Sequence, residues 1–214
     1  MPALSGRNAR VGVGVALGLF VLCTALTAAG GLNGLDHDVA SAARRTTGHA
    51  TDVALSLIAV TASVPISLAW LTLLVGATQL ARRGRRQALT LAAGVVAGSV
   101  VEVLLKMRLD HPGPHGVSRS VIALGVEEVG RGSFPSGHML RGTALALGTA
   151  LVLSGSRRSR TVLLITVAYV VELACSRVYL NEHWVSDVIG GVLLGVVAAL
   201  AVAAVPRLQG SPRV

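Results

Sequence analysis

The stretch that decides the fold is residues 161–205, TVLLITVAYVVELACSRVYLNEHWVSDVIGGVLLGVVAALAVAAV. Two apolar runs, at about 161–177 and 187–205, flank a short polar segment. An apolar run of about twenty residues is long enough to cross a bilayer as a helix. The stretch therefore predicts two membrane helices joined by a polar turn at one membrane surface.

Four further apolar windows precede this pair, at about 11–31, within 53–81, and at about 87–105 and 138–155. The composition agrees: 52% of the 214 residues are hydrophobic and only 14% are charged, with a mean hydropathy of +0.69. In a typical soluble domain about a quarter of the residues are charged. We therefore expect an all-α fold, a single polytopic bundle of six transmembrane helices over the whole chain.

The placement of arginine predicts the orientation of this bundle. Eleven of the 19 basic residues fall on one side: Arg7, Arg10, Arg82, Arg83, Arg85, Arg86, Arg157, Arg158, Arg160, Arg207 and Arg213. By the positive-inside rule this side is cytoplasmic, with both termini inside. The segments 32–52, 106–137 and 178–186 then lie on the extracytoplasmic side. Because the arginines sit at the ends of apolar runs, the net charge of +9 does not indicate nucleic acid as a partner.

The first apolar run and the two cysteines each allow two interpretations. The run is similar to a signal peptide, but it is long and lacks a clean small-residue cleavage site, which favours a retained span. Cys23 and Cys175 both lie in apolar runs. We expect small core residues there rather than a disulfide or a metal pair.

The first polar cluster on the predicted outer side is KMRLDHPGP, from Lys106 to Pro114. Taken alone it is typical of a lysine that snorkels at a helix end before a Pro-rich turn. Glu102 lies four residues before Lys106, on the same helix face, where it would neutralise or orient the lysine.

The second cluster, GSFPSGH, runs from Gly132 to His138. We expect Ser136 to cap a helix, Gly137 to allow close backbone approach, and His138 to lie in the first turn. The free N–H groups of a helix N-terminus form an anion site. The alternative is an ordinary capped helix with a histidine at the membrane interface.

The third cluster, SRVYLNEHWVSD, spans residues 176–187. If Asp187 opens a helix, His183 lies on the same face four residues earlier, and the carboxylate holds one imidazole nitrogen while leaving the other free. Arg177 adds a cation nearby. The alternative is an exposed loop followed by a helix-capping aspartate.

Together the clusters predict phosphoryl transfer without a metal, because they contain no carboxylate or His/Cys group of metal-ligand type. Lys106 and Arg177 would neutralise a phosphate, and backbone N–H groups with Ser136 would hold its oxygens. One histidine would attack phosphorus and the other would protonate the leaving oxygen. No cofactor is expected.

The chain resembles the type 2 phosphatidic acid phosphatase superfamily of membrane lipid phosphatases, whose three signatures are Lys-x6-Arg-Pro, Pro-Ser-Gly-His and Ser-Arg-x5-His-x3-Asp. The second is intact at 135–138 and the third at 176–187. In the first, Lys106 and Pro114 keep their spacing, but Gly113 stands where the family has arginine.

The resemblance implies a role for each signature residue. His183 would be the nucleophile that forms a phosphohistidine, Asp187 would orient it, and His138 would be the general acid. Phosphate would be bound by Lys106, Ser136, Gly137 and Arg177.

The missing arginine calls for a substitute cation, and Arg141 is our first candidate. It lies one helical turn beyond His138, and a charge within a membrane span indicates function. Its alternative role is to pair with Glu172 or Glu102. Further candidates are Arg108, His111 and Arg119.

We therefore expect an integral membrane lipid phosphatase, with its active site on the outer face of a bacterial plasma membrane. The expected substrate is a lipid phosphate: an isoprenoid diphosphate, phosphatidate or phosphatidylglycerol phosphate. Two alternatives are a phosphotransferase that uses the same intermediate and a catalytically silent lipid-phosphate binder or transporter.

Overall fold

The computed structural model describes residues 6–46, 48–81, 84–122, 124, 132–154 and 160–206. These residues form eight helices and no strand, which confirms the all-α prediction. The helices are α1 (Gly6–Ala28), α2 (Asn33–Arg44), α3 (His49–Val60), α4 (Val64–Leu80), α5 (Arg85–Arg108), α6 (Gly137–Ser154), α7 (Arg160–Tyr179) and α8 (Val185–Ala204).

The second predicted span is broken. Helices α3 and α4 meet at an angle of 45° across Thr61–Ser63. Pro65 lies in the first turn of α4, where the missing N–H costs nothing, but it prevents α3 from continuing. Thr61 secures the break, since its hydroxyl donates to the Ile58 carbonyl and lies 2.8 Å from the Tyr169 hydroxyl.

Residues 32–52, predicted to lie between the first two spans on the extracytoplasmic side, are largely helical. They contain all of α2 and the first turn of α3. Helix α2 is amphipathic: Asp36 and Ala40, four residues apart, are buried, while most of its other side chains are partly or fully exposed. The buried aspartate anchors α2 to the start of α8, a contact that the local sequence does not reveal.

By length and composition, four described helices are apolar enough to cross a membrane, namely α1, α5, α7 and α8, and the bent α3–α4 pair is a fifth candidate. The sequence predicted six. The remaining helix, α6, corresponds to the fourth predicted span and is not among the candidates, because His138 and Arg141 make its first turns polar. It lies inside the bundle, where its neighbours are protein side chains.

Helices α6 and α8 form the centre of the bundle, and α1, α5 and α7 pack around them. Two glycines on α8 allow the close approach. A Cβ at Gly195 would lie 2.7 Å from the Leu140 carbonyl oxygen. A Cβ at Gly191 would collide with the Ser136 carbonyl oxygen. Their four-residue spacing is the small-residue pattern of tightly packed membrane helices. Large apolar side chains on α1, α4, α5 and α7 face outward, as lipid contact requires.

The predicted orientation rests partly on residues that the structure does not describe: Arg82, Arg83, Arg157, Arg158, Arg207 and Arg213. At the opposite end of the bundle, α5 and α7 finish where α6 and α8 begin. Backbone hydrogen bonds from Gly132 to Lys106 and from Ser136 to Asp187 join these ends. Cys23 is buried, Cys175 is exposed, and both are free.

Candidate active site

Lys106 lies in the last turn of α5, where its buried ammonium is 3.0 Å from Glu102 Oε1. This confirms the predicted pairing across one helical turn. The other carboxylate oxygen of Glu102 is 3.5 Å from Arg141 Nη1. One buried carboxylate therefore holds two cations, and it does so beside the start of α6.

Helix α6 begins at Gly137, directly after Ser136, as the second cluster predicted. The Ser136 hydroxyl lies 3.5 Å from the Met139 N–H, the position of an N-cap contact. A Cβ at residue 137 would collide with the Glu102 carboxylate where it now lies, so glycine permits this close approach. His138 is buried in the first turn, within the electrostatic reach of Arg177, Arg141, His183 and Lys106.

Arg177 lies in the last turn of α7, where its guanidinium pairs with Glu182. The Glu182 carboxylate also accepts a hydrogen bond of 2.9 Å from the Ser118 hydroxyl. Lys106 and Arg177, the two cations expected to bind phosphate, are thus each paired with a carboxylate. Sequence reasoning assigned no role to Glu182, because it falls in the variable part of the third signature.

His183 and Asp187 form the predicted pair, with His183 Nδ1 3.2 Å from Asp187 Oδ2. Asp187 lies in the first turn of α8, and the backbone N–H of Trp184 donates to the same oxygen at 2.9 Å. When Nδ1 carries the proton that Asp187 accepts, Nε2 keeps its lone pair. The helix start therefore fixes both the position and the tautomer of His183.

The protonation of His183 is set by competing effects. Burial lowers its pKa below the ordinary value, and the hydrogen bond and charge of Asp187 oppose this. The positive charges of Arg177 and Lys106 lower the pKa further, so that the net shift is downward. The imidazole is therefore neutral at neutral pH, which is the form that a nucleophile requires.

A cavity of about 230 Å³ brings three of the predicted residues together, since Lys106, Arg177 and His183 all line it. Gly113 lies in the same wall. The remaining wall residues are mostly small or polar: Pro114, Gly116, Ser118, Gly132, Ser133, Asn181 and Glu182. The other five predicted residues, Ser136, Gly137, His138, Arg141 and Asp187, are not among those that line this cavity.

Two of the candidates to replace the missing arginine, Arg141 and Arg119, have other partners. Arg141 donates to the Ala62 carbonyl at 3.1 Å and pairs with Glu102, one of the two acidic partners considered for it. Arg119 donates to backbone carbonyls and lies 4.3 Å above the Tyr179 ring. Arg108 is exposed at the end of α5. A phosphate contact by Arg141 or Arg119 would require the side chain to leave or share these partners.

The last candidate, His111, lies against Asp187. Its Nε2 is 3.3 Å from Asp187 Oδ1. Burial favours a lower pKa for His111, but the hydrogen bond and charge of Asp187, helped by Asp36, outweigh it, so the pKa is raised. Within the described ranges, no group of three or more His, Cys, Asp and Glu side chains is arranged to hold a metal ion.

Comparison with known proteins gives three findings. The sequence model of the PAP2 superfamily matches residues 87–210, more than half of the chain. Decaprenylphosphoryl-5-phosphoribose phosphatase from two strains of Mycobacterium tuberculosis, CDC 1551 / Oshkosh and ATCC 25618 / H37Rv, is 38% identical over 134 residues. This alignment covers 60% of the chain and 66% of each relative, just under two thirds of the relatives' length.

The third finding is structural. The crystal structure of a transmembrane PAP2-type phosphatidylglycerolphosphate phosphatase from Bacillus subtilis superposes with a TM-score of 0.76. The match covers 89% of this chain and 93% of the other at 20% sequence identity. At this identity the likeness shows a shared fold.

Proposed function

This chain belongs to the PAP2 superfamily, and from that premise we propose that it is an integral membrane phosphatase that hydrolyses a phosphate ester carried by a lipid. The observation that carries the proposal is the pairing of His183 with Asp187 in a cavity that Lys106 and Arg177 also line. An imidazole nucleophile between two cations suits a phosphoryl group, whose transfer depends mainly on positioning and charge stabilisation.

The proposed reaction has two steps. His183 Nε2 attacks phosphorus, the N–P bond forms, and the bond from phosphorus to the lipid oxygen breaks. His138 gives its proton to the departing oxygen. Water then attacks the phosphohistidine and returns a proton to His138, the N–P bond breaks, inorganic phosphate leaves, and His183 returns to its neutral form. Neither step in this scheme requires a metal ion.

Charge stabilisation falls to the ends of the helices. Lys106 and Arg177 neutralise the phosphoryl oxygens, and Ser136 and Gly137 supply groups at the N-terminus of α6. Arg141 remains a proposed further phosphate ligand. The Glu182 carboxylate already pairs with the Arg177 guanidinium. Binding of a phosphate dianion therefore includes displacement of the Glu182 carboxylate towards Ser118, its other partner.

The proposed substrate follows from the name of the two relatives: a polyprenyl-phosphoryl sugar that carries a phosphate monoester. Support comes from the cavity wall, where Ser118, Asn181 and Glu182 offer hydroxyl, amide and carboxylate groups that suit sugar hydroxyls. An isoprenoid diphosphate, phosphatidate and phosphatidylglycerol phosphate are the other candidates within the same class.

The proposed membrane arrangement has six spans, with the bent α3–α4 pair as the second and α6 as the fourth. Both termini would be cytoplasmic, and the end that carries the cavity would face outward from a bacterial plasma membrane. The support is the asymmetry of arginine between the two ends of the bundle.

Phosphate release in detergent, measured with each of the four lipid phosphates in the presence of a chelator, tests the proposal. We expect release by the wild type and none by His183→Gln. The matched control is His49→Gln, which changes an exposed histidine at the start of α3. Radioactive phosphate from the substrate should be trapped on wild-type protein as an acid-labile adduct and should be absent from His183→Gln.

Four outcomes would contradict the proposal. Strict dependence on a divalent metal would argue against the metal-free scheme. Full activity of His183→Gln would remove the nucleophile. Lipid binding without phosphate release would indicate a silent binder, and transfer of phosphate to an added alcohol in preference to water would indicate a phosphotransferase.

A further inference from the structure

The two oxygens of the Asp187 carboxylate have different partners. Oδ2 accepts the N–H of Trp184 and lies beside His183 Nδ1. Oδ1 faces away from this pair, towards His111 Nε2 at 3.3 Å. Asp187 is fully buried, and no described residue makes a hydrogen bond of good geometry to Oδ1. A buried carboxylate oxygen needs a donor or a positive charge, and His111 is placed to supply it.

A second carboxylate, that of Asp36, determines which atoms carry the protons around His111 Nε2. Asp36, buried on α2, accepts the Ser186 N–H at 2.8 Å and the Ser186 hydroxyl at 2.7 Å. With its proton committed to Asp36, the Ser186 oxygen offers only lone pairs to His111 Nε2, which lies 3.4 Å away. Nε2 therefore faces two acceptors, Ser186 Oγ and Asp187 Oδ1, and must carry a proton.

The geometry also fixes the His111 ring. Its edge packs against Phe134 with the ring centroids 6.4 Å apart. The Pro112 carbonyl, one residue along the chain, accepts a hydrogen bond of 2.8 Å from the Trp184 indole. The loop that carries His111 is thus tied to the residue that follows His183, so His111 and the His183–Asp187 pair are held in one frame.

We propose that His111 is a positioning residue that acts through Asp187 on His183, with Asp36 and Ser186 holding it in place. In this arrangement one carboxylate is shared by two imidazoles, one on each side. His111 keeps the carboxylate from rotating, and Asp187 in turn keeps His183 Nε2 directed at phosphorus. The inference rests on the proposed phosphatase function and adds to it a residue from the variable part of the first signature.

A purely structural role would give a different result. His111 also borders a second cavity of about 260 Å³, which Asp110, His115 and Trp184 line as well. If His111 only filled space there, side chains of similar volume would substitute for it regardless of where their N–H groups lie. If it positions Asp187, the reach of the N–H group decides the activity.

The test compares two amides at position 111, measuring kcat and KM for the substrate on which the wild type is most active. In His111→Gln the side-chain NH₂ lies near the former Nε2 and should retain most of kcat. In His111→Asn it falls short, and kcat should drop roughly tenfold to a hundredfold, the cost of misaligning a reacting group, with KM little changed. His115→Gln, in the same second cavity, is the matched control and should behave as the wild type.

A double-variant cycle shows whether the effect passes through Asp187. In an Asp187→Ala background, His111→Asn should lower the residual kcat by less than about twofold, because coupled residues are not additive. Equal kcat for His111→Asn and the wild type, equal losses in both amide variants, or full additivity in the cycle would each overturn the inference. A folded wild type without phosphatase activity would instead overturn the proposed function, and the inference with it.

Discussion

Position 113 offers a direct test of where phosphate binds. The family's first signature has arginine there, and this chain has glycine in the wall of the cavity that Lys106 and Arg177 also line. A Cβ at Gly113 would lie 3.7 Å from the Ser133 Cβ and 3.9 Å from the Glu182 carbonyl oxygen, which are ordinary contacts. Its φ angle lies outside the left-handed range, so Gly113→Arg should fold without backbone strain.

The expected gain follows from one added charge-assisted hydrogen bond. Such a bond to phosphate contributes about 1.5–3 kcal/mol, and every 1.4 kcal/mol is about tenfold in affinity. The Glu182 carboxylate in the same wall attracts the new guanidinium and reduces the gain. We therefore expect the lower end of the range, about a tenfold lower Ki for inorganic phosphate as a competitive inhibitor.

The assay measures that Ki, together with KM for the lipid phosphate, in the wild type, Gly113→Arg and Gly113→Gln. The glutamine variant adds a shorter polar side chain without charge and should differ little from the wild type. An unchanged Ki in a stable Gly113→Arg would refute the placement of phosphate in this cavity. Equal gains in both variants would show that shape, rather than charge, is responsible.

Three further predictions concern pH, buried charge and helix packing. The acid limb of kcat/KM should lie below the pH of about 6.5 at which an ordinary histidine titrates. The pKa of His183 is lowered, so its neutral form persists until the pH falls through that lowered value. An acid limb at or above pH 6.5 would contradict this. Glu102→Ala leaves the buried Lys106 and the partly buried Arg141 without their carboxylate. It should cost about 3 kcal/mol, or a Tm lower by about 6–12 °C in detergent. An unchanged Tm would show that the cations find other partners. Gly191→Ala should lower the Tm because its Cβ meets the Ser136 carbonyl oxygen, whereas Gly76→Ala, with nothing within 4 Å, should not; equal Tm values would argue against the close packing of α6 and α8.

Local spacing was sufficient to predict the contacts made within one helical turn. The four-residue separations between Glu102 and Lys106 and between His183 and Asp187 placed each pair on one face, and both pairs are in contact. Ser136 marked the start of α6 because the motif combines a capping side chain with glycine. In each case the interaction depends only on the helical repeat.

Contacts between distant parts of the chain were not visible in the same way. Asp36 and Ser186 are 150 residues apart, and His111 and Ser186 are 75 apart, so no periodicity connects them. His111 entered the sequence argument as a substitute cation, whereas the structure places it on Asp187. Pro65 was present as a helix-breaking signal, but the lack of charge over 53–81 dominated the prediction of one continuous span.

The residues of the proposed site fall into two matching halves, each supplied by the ends of one pair of helices. The hairpin of α5 and α6 supplies Lys106 from a helix C-terminus and His138 from the next N-terminus. The hairpin of α7 and α8 supplies Arg177 and the His183–Asp187 pair in the same order. Neither hairpin holds the complete proposed site, so under the proposed mechanism catalytic competence would arise only when the α6–α8 glycine contact docks one on the other. During biogenesis, therefore, a chain that has inserted only the first hairpin would be inert towards the lipids around it.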